Sequence, residues 1–396
     1  MDFELPADDR AFRDRLRGWL DKHWGKDWTK ERARFASLDE QFAFLRDWQR
    51  RLCEAGFVGL SWPREYGGGG ATIMQQAIFY EEMARARAPE LPNAIGLDMC
   101  GPAIIAHGTE AQKTFHLPAI LSAEQIFCQG FSEPNAGSDV AGGQTRAVRD
   151  GDHFVLDGQK VWTTYAQYSE WCLLLARTDP EVPKHKGLSM FVVDMHAPGV
   201  TVRPLRQISG EAEFNEIFFD AVRVPAANLV GRLHGGWEVA ITTLMFERGP
   251  RTIARQLLLR HGIDAALELA HRTTRDGGTA AADPVLRQRL AQAYIDGEAL
   301  RVSTLRGLTR LLRGQPPGAD GSAAKLFWSE SIQRLFELML DIEGPYAQLA
   351  RGSAHAVDDG YWQLRFLRSR GDTIAAGTSE INRNILAERV LGLPKD

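Results

Sequence analysis

The hydrophobic period changes twice along the chain, and that order limits the fold more than any single motif. From about residue 123 the sequence breaks into short runs rich in β-formers. They are Gln125–Gln129, His153–Leu156, Trp171–Leu175, Ser189–Val193, Val200–Val202 and Glu216–Phe219, the last extended by Val222–Val224. Turn signals such as Asp150-Gly151-Asp152 and Asp157-Gly158 separate them. Five to seven strands in about 110 residues, without long helical patterns between them, predict an antiparallel barrel or sandwich.

Both flanks read as helix. Leu16, Trp19 and Leu20, then Phe42, Leu45, Trp48, Gln49 and Leu52, recur at three- and four-residue spacings. The pattern resumes over 73–87 and around 104–121. After Gly235-Gly236 it returns from Val239 through Ala270, from Pro284 past Leu312, from Ala323 to about Ile342, and after Gly377. The expected division is a helical domain at 1–122, a middle β domain at 123–232 and a helical domain at 233–396.

A chain of 396 residues with a net charge of −4 has no basic stripe, which argues against a nucleic-acid partner. No apolar run approaches the 18 residues of a membrane span, and the acidic start does not read as a signal or transit peptide. Cys53, Cys100, Cys128 and Cys172 stand far apart and read as reduced, buried thiols of a cytoplasmic protein. The ten histidines are dispersed, so no metal site is expected.

Two stretches invite a chemical reading. Phe131-Ser132-Glu133-Pro134-Asn135-Ala136-Gly137-Ser138-Asp139 must be a loop, and Ser138 or Asp139 could cap a following helical turn. Its hydroxyls and free N–H groups suit an anion or a polar heterocycle, although on turn chemistry alone the stretch reads first as an ordinary surface turn. The four glycines at 67–70 lack a following Gly-Lys-Ser/Thr, so a flexible connection is expected there rather than a phosphate loop.

With its helical–β–helical order, the chain resembles the acyl-CoA dehydrogenases. Three motifs carry the resemblance: the 130–140 loop, Lys160-Val161-Trp162-Thr163-Thr164, and Gly377-Thr378-Ser379-Glu380-Ile381-Asn382-Arg383. Trp-Pro-Arg-Glu-Tyr-Gly-Gly at 62–68 adds a weaker fourth. The resemblance implies an α+β fold with an N-terminal helical domain, a middle antiparallel β-barrel and a C-terminal four-helix bundle. It also implies noncovalent FAD and an acyl-CoA thioester oxidised between Cα and Cβ in lipid β-oxidation, with electrons passing to an electron-transfer flavoprotein. By the same resemblance Phe131 and Ser132 lie against the flavin ring, and Ser138 reaches the pyrophosphate or the ligand. Trp162 and Thr164 cover the other side, with the Thr164 hydroxyl near N5. Thr378 and Glu380 meet the adenosine or pyrophosphate. On residues alone, Trp162 would read as a core aromatic, and Thr378 and Glu380 as an N-cap and a first-turn acid.

The proton chemistry needs a carboxylate, and here the sequence departs from the family. Many members carry a Glu immediately before Gly-Thr-Ser; this chain has Ala376. A second family location, an acid–arginine pair on the first helix of the C-terminal bundle, matches Glu247-Arg248. Glu247 is therefore the expected base, with a solvated Glu247–Arg251 pair as the alternative. Ala376 still offers its main-chain N–H to the thioester oxygen. Glu133 and Glu343 are fallback carboxylates that match no family base position.

The segments by which a neighbouring subunit holds FAD are also reduced. Residues 271–279 lack Phe-Gly, and the Gly-rich motif survives only as Glu343-Gly344-Pro345-Tyr346. This resembles subunits that work beside a related partner chain in a heterotetramer; a homo-oligomer is the other option. A noncatalytic, FAD-completing subunit and a flavin-dependent oxidase are the rival functions.

Overall fold

The computed structural model describes residues 4–246, 252–275, 277–315 and 320–395. Glu247 and Arg248 lie outside the described residues. The chain forms two compact units, Met1–Gly249 and Pro250–Asp396.

In the first unit the helices are α1 (Ala7–His23), α2 (Trp28–Glu31), α3 (Leu38–Glu54), α4 (Ile73–Arg85), α5 (Gly101–His107) and α6 (Glu110–Ser122). Their starts follow from sequence. Ser37 caps α3, and Thr72 with Gln75 and Thr109 with Gln112 form capping boxes on α4 and α6. Phe42, Leu45, Trp48, Gln49 and Leu52 are the buried face of α3, as their spacing predicts. The single helical stretch expected around 104–121 is two helices, because Gly108 leaves the helix and Thr109 caps the next.

The glycine-rich segment is pinned rather than flexible. Gly68, Gly69 and Gly70 donate to the Pro63, Gly59 and Trp62 carbonyls at 3.0–3.1 Å. A Cβ on Gly68 would fall 2.3 Å from the Trp62 oxygen, so this is a close backbone crossing that only glycine fits.

The middle strands are β1 (Phe127–Gly130), β2 (Arg146–Asp150), β3 (His153–Thr164), β4 (Trp171–Arg177), β5 (Leu188–Asp194), β6 (Val200–Leu205), β7 (Phe214–Pro225) and β8 (Leu229–Val230). The pairing order is β6-β7-β3-β2-β4-β5-β8, with β1 on β4. The expectation of a purely antiparallel sheet fails at two joints: β1 and β2 both run parallel to β4. No pairing among the described residues joins β6 to β8, so the path is that of an open mixed sheet.

Asp157-Gly158 is not a turn either. β3 passes straight through it, opposite a bulge at Asp220-Ala221 of β7, and Asp157 Oδ1 accepts from the Ala221 N–H at 3.1 Å. The Asp-Gly pair that does turn is Asp150-Gly151, where β2 pairs back onto β3.

One face of the sheet shares its core with the helices: Leu173, Leu175, Met190 and Val192 pack with Leu52, Trp62, Ile104 and Leu117. The buried Asn93 side chain registers the two layers. It donates to the Gln125 carbonyl at 2.8 Å and accepts from the Phe127 N–H at 2.9 Å, fixing where β1 begins. Helix α7 (Gly236–Phe246) belongs to this unit and packs on α5 and β5.

In the second unit α8 (Thr252–Arg272), α9 (Pro284–Leu312) and α10 (Asp320–Glu343) pack on one another around Ile263, Leu269, Leu290, Leu335 and Met339. The shorter α11 (Tyr361–Ser369) and α12 (Ser379–Arg389) lie on α10. Asp283 caps α9 by accepting from the Val285 and Leu286 N–H groups, with Pro284 in the first turn. No helix among the described residues is long and apolar enough to cross a membrane, and no group of His, Cys, Asp and Glu among them is arranged to hold a metal ion.

Candidate active site

Two motifs far apart in sequence meet at the end of β1. Packing is tight at Gly130, where a Cβ would stand 2.9 Å from Cys172 Sγ. The chain then turns tightly at Pro134-Asn135, where Glu133 and Ala136 exchange both backbone hydrogen bonds at 3.0 Å. Inside this turn the Glu133 carboxylate is buried. It accepts from the Gln144 N–H at 2.6 Å, the Thr145 N–H at 2.9 Å and Lys160 Nζ at 2.8 Å. Burial pushes Glu133 upward, but Lys160 and these donors outweigh it and hold the carboxyl below its usual range. Glu133 is thus committed to its partners, which removes it as a fallback base.

Lys160 is only 1 % exposed and also donates to the Phe131 carbonyl at 3.0 Å. The next residue, Val161, donates its N–H to the Ser132 carbonyl at 2.9 Å. Loop and strand are therefore joined by three bonds. Beyond them β3 bulges: Val161 and Trp162 together oppose Glu216 of β7. Trp162 sits at φ +60° with its indole 60 % exposed, edge-on to Phe214. The core-aromatic reading of Trp162 fails. A bulky residue in the left-handed region, held outward, is an uncommon arrangement.

The other residues fall as follows. Ser132 and Thr164 are half-buried and Ser138 is exposed. The Phe131 ring is buried in the helix–sheet core. Asp139 does not cap the turn at Val140–Gly142; its carboxylate pairs with Lys184 at 2.8 Å. Lys160 and Arg177 have no assigned role in the sequence reading. Arg177 closes the apolar run Trp171–Ala176, a long cation where a buried charge would need partners, whereas Lys160, preceded by Asp157-Gly158-Gln159, gives no such signal.

The third motif stands at the start of α12, in the second unit. Ala376 and Gly377 are both left-handed, at φ +56° and +88°, and Ala376 is exposed. Thr378 caps the helix by accepting from the Ile381 N–H at 3.2 Å. Lys325 Nζ and Asn382 Nδ2 donate to the Gly377 carbonyl at 2.6 and 2.8 Å. Donors at the helix start and the Thr378 hydroxyl hold Glu380 below its usual range. An open groove of about 540 Å³ runs past Gln333, Arg334, Thr378, Ser379 and Arg383. Ser379 Oγ is buried beside it without a hydrogen-bond partner.

Glu343 is buried at the end of α10 and accepts from Gln363 Nε2 at 2.6 Å. Burial raises its pKa to about 7. Of the thiols, Cys100, Cys128 and Cys172 are buried and Cys53 is half-buried, all four free.

Models of the acyl-CoA dehydrogenase N-terminal, middle and C-terminal domains match residues 6–124, 128–222 and 234–391. The chain belongs to the acyl-CoA dehydrogenase family. Acyl-CoA dehydrogenase IpdE1 of Mycobacterium tuberculosis is 42 % identical over 98 % of this chain and 99 % of the relative. Among solved structures, the Tcur3481-Tcur3483 steroid ACAD superposes with a TM-score of 0.85 at 31 % identity, covering all of both chains. The ChsE4-ChsE5 complex from Mycobacterium tuberculosis does so with a TM-score of 0.83 at 30 % identity, again over all of both. An acyl-CoA dehydrogenase is an oxidoreductase with FAD as cofactor, and the residues present fit that group. A flat aromatic held outward beside half-buried hydroxyls suits a flavin ring, and an unpartnered serine at a capped helix start suits a polar ligand.

Proposed function

We propose that this acyl-CoA dehydrogenase oxidises a bulky, ring-bearing acyl-CoA thioester to the trans-2-enoyl-CoA, with Glu247 as base. The observation that carries the site assignment is the bonded junction of the 131–139 loop with Lys160 and Val161, which presents Trp162 outward. Bound FAD supplies the hydride acceptor. Trp162 would back its ring, Thr164 would donate a hydrogen bond to it, and Ser132 and Ser138 would hold it from the loop. Thr378 and Glu380, at the start of α12, hold the nucleotide part. Glu247 removes the α-proton with Arg248 beside it, and the Ala376 N–H polarises the thioester oxygen. An alanine loses nothing in that last role, because the contact is main chain. The ring-bearing substrate is inferred from the steroid ACAD among the solved relatives. An electron-transfer flavoprotein of the cytoplasm is the proposed acceptor.

The test is to mix the yellow protein anaerobically with ring-bearing and straight-chain acyl-CoA thioesters and follow flavin bleaching. Fast bleaching by the ring-bearing thioester supports the reading; bleaching only by straight chains contradicts its substrate class. Peroxide formed without an added acceptor would favour an oxidase.

A second reading rests on Glu343-Gly344-Pro345-Tyr346 and on the missing Phe-Gly at 271–279. Both support a heterotetramer with a related chain, as in the two-protein complex among the relatives. A protein that is colourless alone and yellow after co-expression with its partner would favour an FAD-completing subunit over a self-sufficient homo-oligomer.

A further inference from the structure

We propose that Lys160, acting through Glu133, is the positioning residue that sets Trp162 in its outward, left-handed conformation. The proposal rests on the reading that Trp162 backs the flavin. A left-handed, non-glycine residue is strained and persists only where its surroundings over-determine it.

The surroundings of Trp162 are specific. On its N-terminal side Lys160 Nζ clamps the Phe131 carbonyl and the Glu133 carboxylate, and the Val161 N–H holds the Ser132 carbonyl. On its C-terminal side the Thr163 carbonyl accepts from Asn215 Nδ2 at 3.1 Å, and Thr163 pairs with Asn215 in the sheet. Between those anchors β3 has two residues where β7 has one. The chain cannot lie flat, so Trp162 takes the bulge.

A one-residue slip would return the strand to regular pairing and exchange the faces of every side chain beyond it. Lys160 opposes the slip because its ammonium has no other place to go. It is buried, and its carboxylate partner is fixed by two backbone N–H groups. The same ammonium draws in the Phe131 carbonyl, so one side chain sets both the loop and the indole.

Four variants separate positioning from plain stability. Lys160→Met and Glu133→Gln each strand a buried group and should lower the urea midpoint. The double variant removes both charges and should regain most of that midpoint. The expected result is that the refolded double variant still binds FAD at least tenfold more weakly. Its bound flavin should show an altered visible circular dichroism, and its Val161 and Trp162 amides should exchange faster. Wild-type FAD affinity, dichroism and exchange in the double variant would overturn the proposal. Should the unmodified chain bind no FAD, the functional reading fails while the amide exchange still decides this one. Glu133→Asp keeps both charges and shortens the clamp by one methylene. Even if the double variant does not fold, an unmoved dichroism and unmoved exchange in Glu133→Asp would count against it.

Discussion

Arg177 donates from Nη2 to the Ala141 carbonyl across 2.6 Å, inside the protein. Its Nε and Nη1 reach the carbonyls of Gly143 and Lys184 at 3.1 and 3.2 Å. A guanidinium that donates three hydrogen bonds to main-chain oxygens is a loop clamp, and the loop it clamps follows Ser138 and Asp139. Arg177→Met should leave these carbonyls short of donors and cost about 2–4 kcal/mol in urea unfolding. FAD should also dissociate faster, read as the rate at which flavin fluorescence appears on dilution.

Trp162 contributes little to the core, being 60 % exposed at φ +60°. Trp162→Gly relieves the backbone strain while loosening the unfolded chain, so stability should stay within about 1 kcal/mol of the original. FAD affinity should fall about fivefold or more, since an aromatic face contributes about 1 kcal/mol or more. Equilibrium unfolding and FAD titration of the apoprotein measure the two effects separately.

Glu343 makes stability depend on pH in a defined direction. Its carboxyl holds a proton in the fold up to about pH 7, whereas the unfolded chain releases it near 4.5. The stabilisation is therefore complete below the unfolded value and is lost as pH rises through the folded one. Asp358 adds to the upward shift; Arg272 and the Gln363 hydrogen bond oppose it. Glu343 Oε1 and Gln363 Oε1 are both buried without partners, which a protonated carboxyl tolerates better than an ionised one. Between pH 5 and pH 8 this group should remove on the order of 3 kcal/mol. Glu343→Gln should flatten the difference, measured as urea midpoints of both proteins at the two pH values.

Gly158 sits at φ +148° with its missing Cβ 2.7 Å from the Thr145 Cα. Gly158→Ala should push β3 off β2 at this point and destabilise by about 2–3 kcal/mol, checked by denaturation.

These residues mark where the sequence could be read and where it could not. Phe42 to Leu52 announce their helix because one buried face imposes one period. Asp157-Gly158 reads as a turn from its composition, yet the same glycine serves a bulge, and only the pairing partner on β7 distinguishes the two. The parallel contact of β1 with β4 leaves no local trace, since neither strand knows its neighbour's direction. The binding motifs were legible as residue strings. Their junction through Lys160, Glu133 and Ser132 was not, because it depends on a buried charge finding partners 27 to 29 residues away.

On the proposed mechanism the proton chemistry lies with Glu247 and not at the Ala376 position. The most direct measurement is the rate of anaerobic flavin bleaching by a thioester substrate in Glu247→Gln protein with its full complement of FAD. Loss of the base should slow bleaching on the order of 10³-fold while FAD binding stays intact. Bleaching at the unmodified rate would contradict the account.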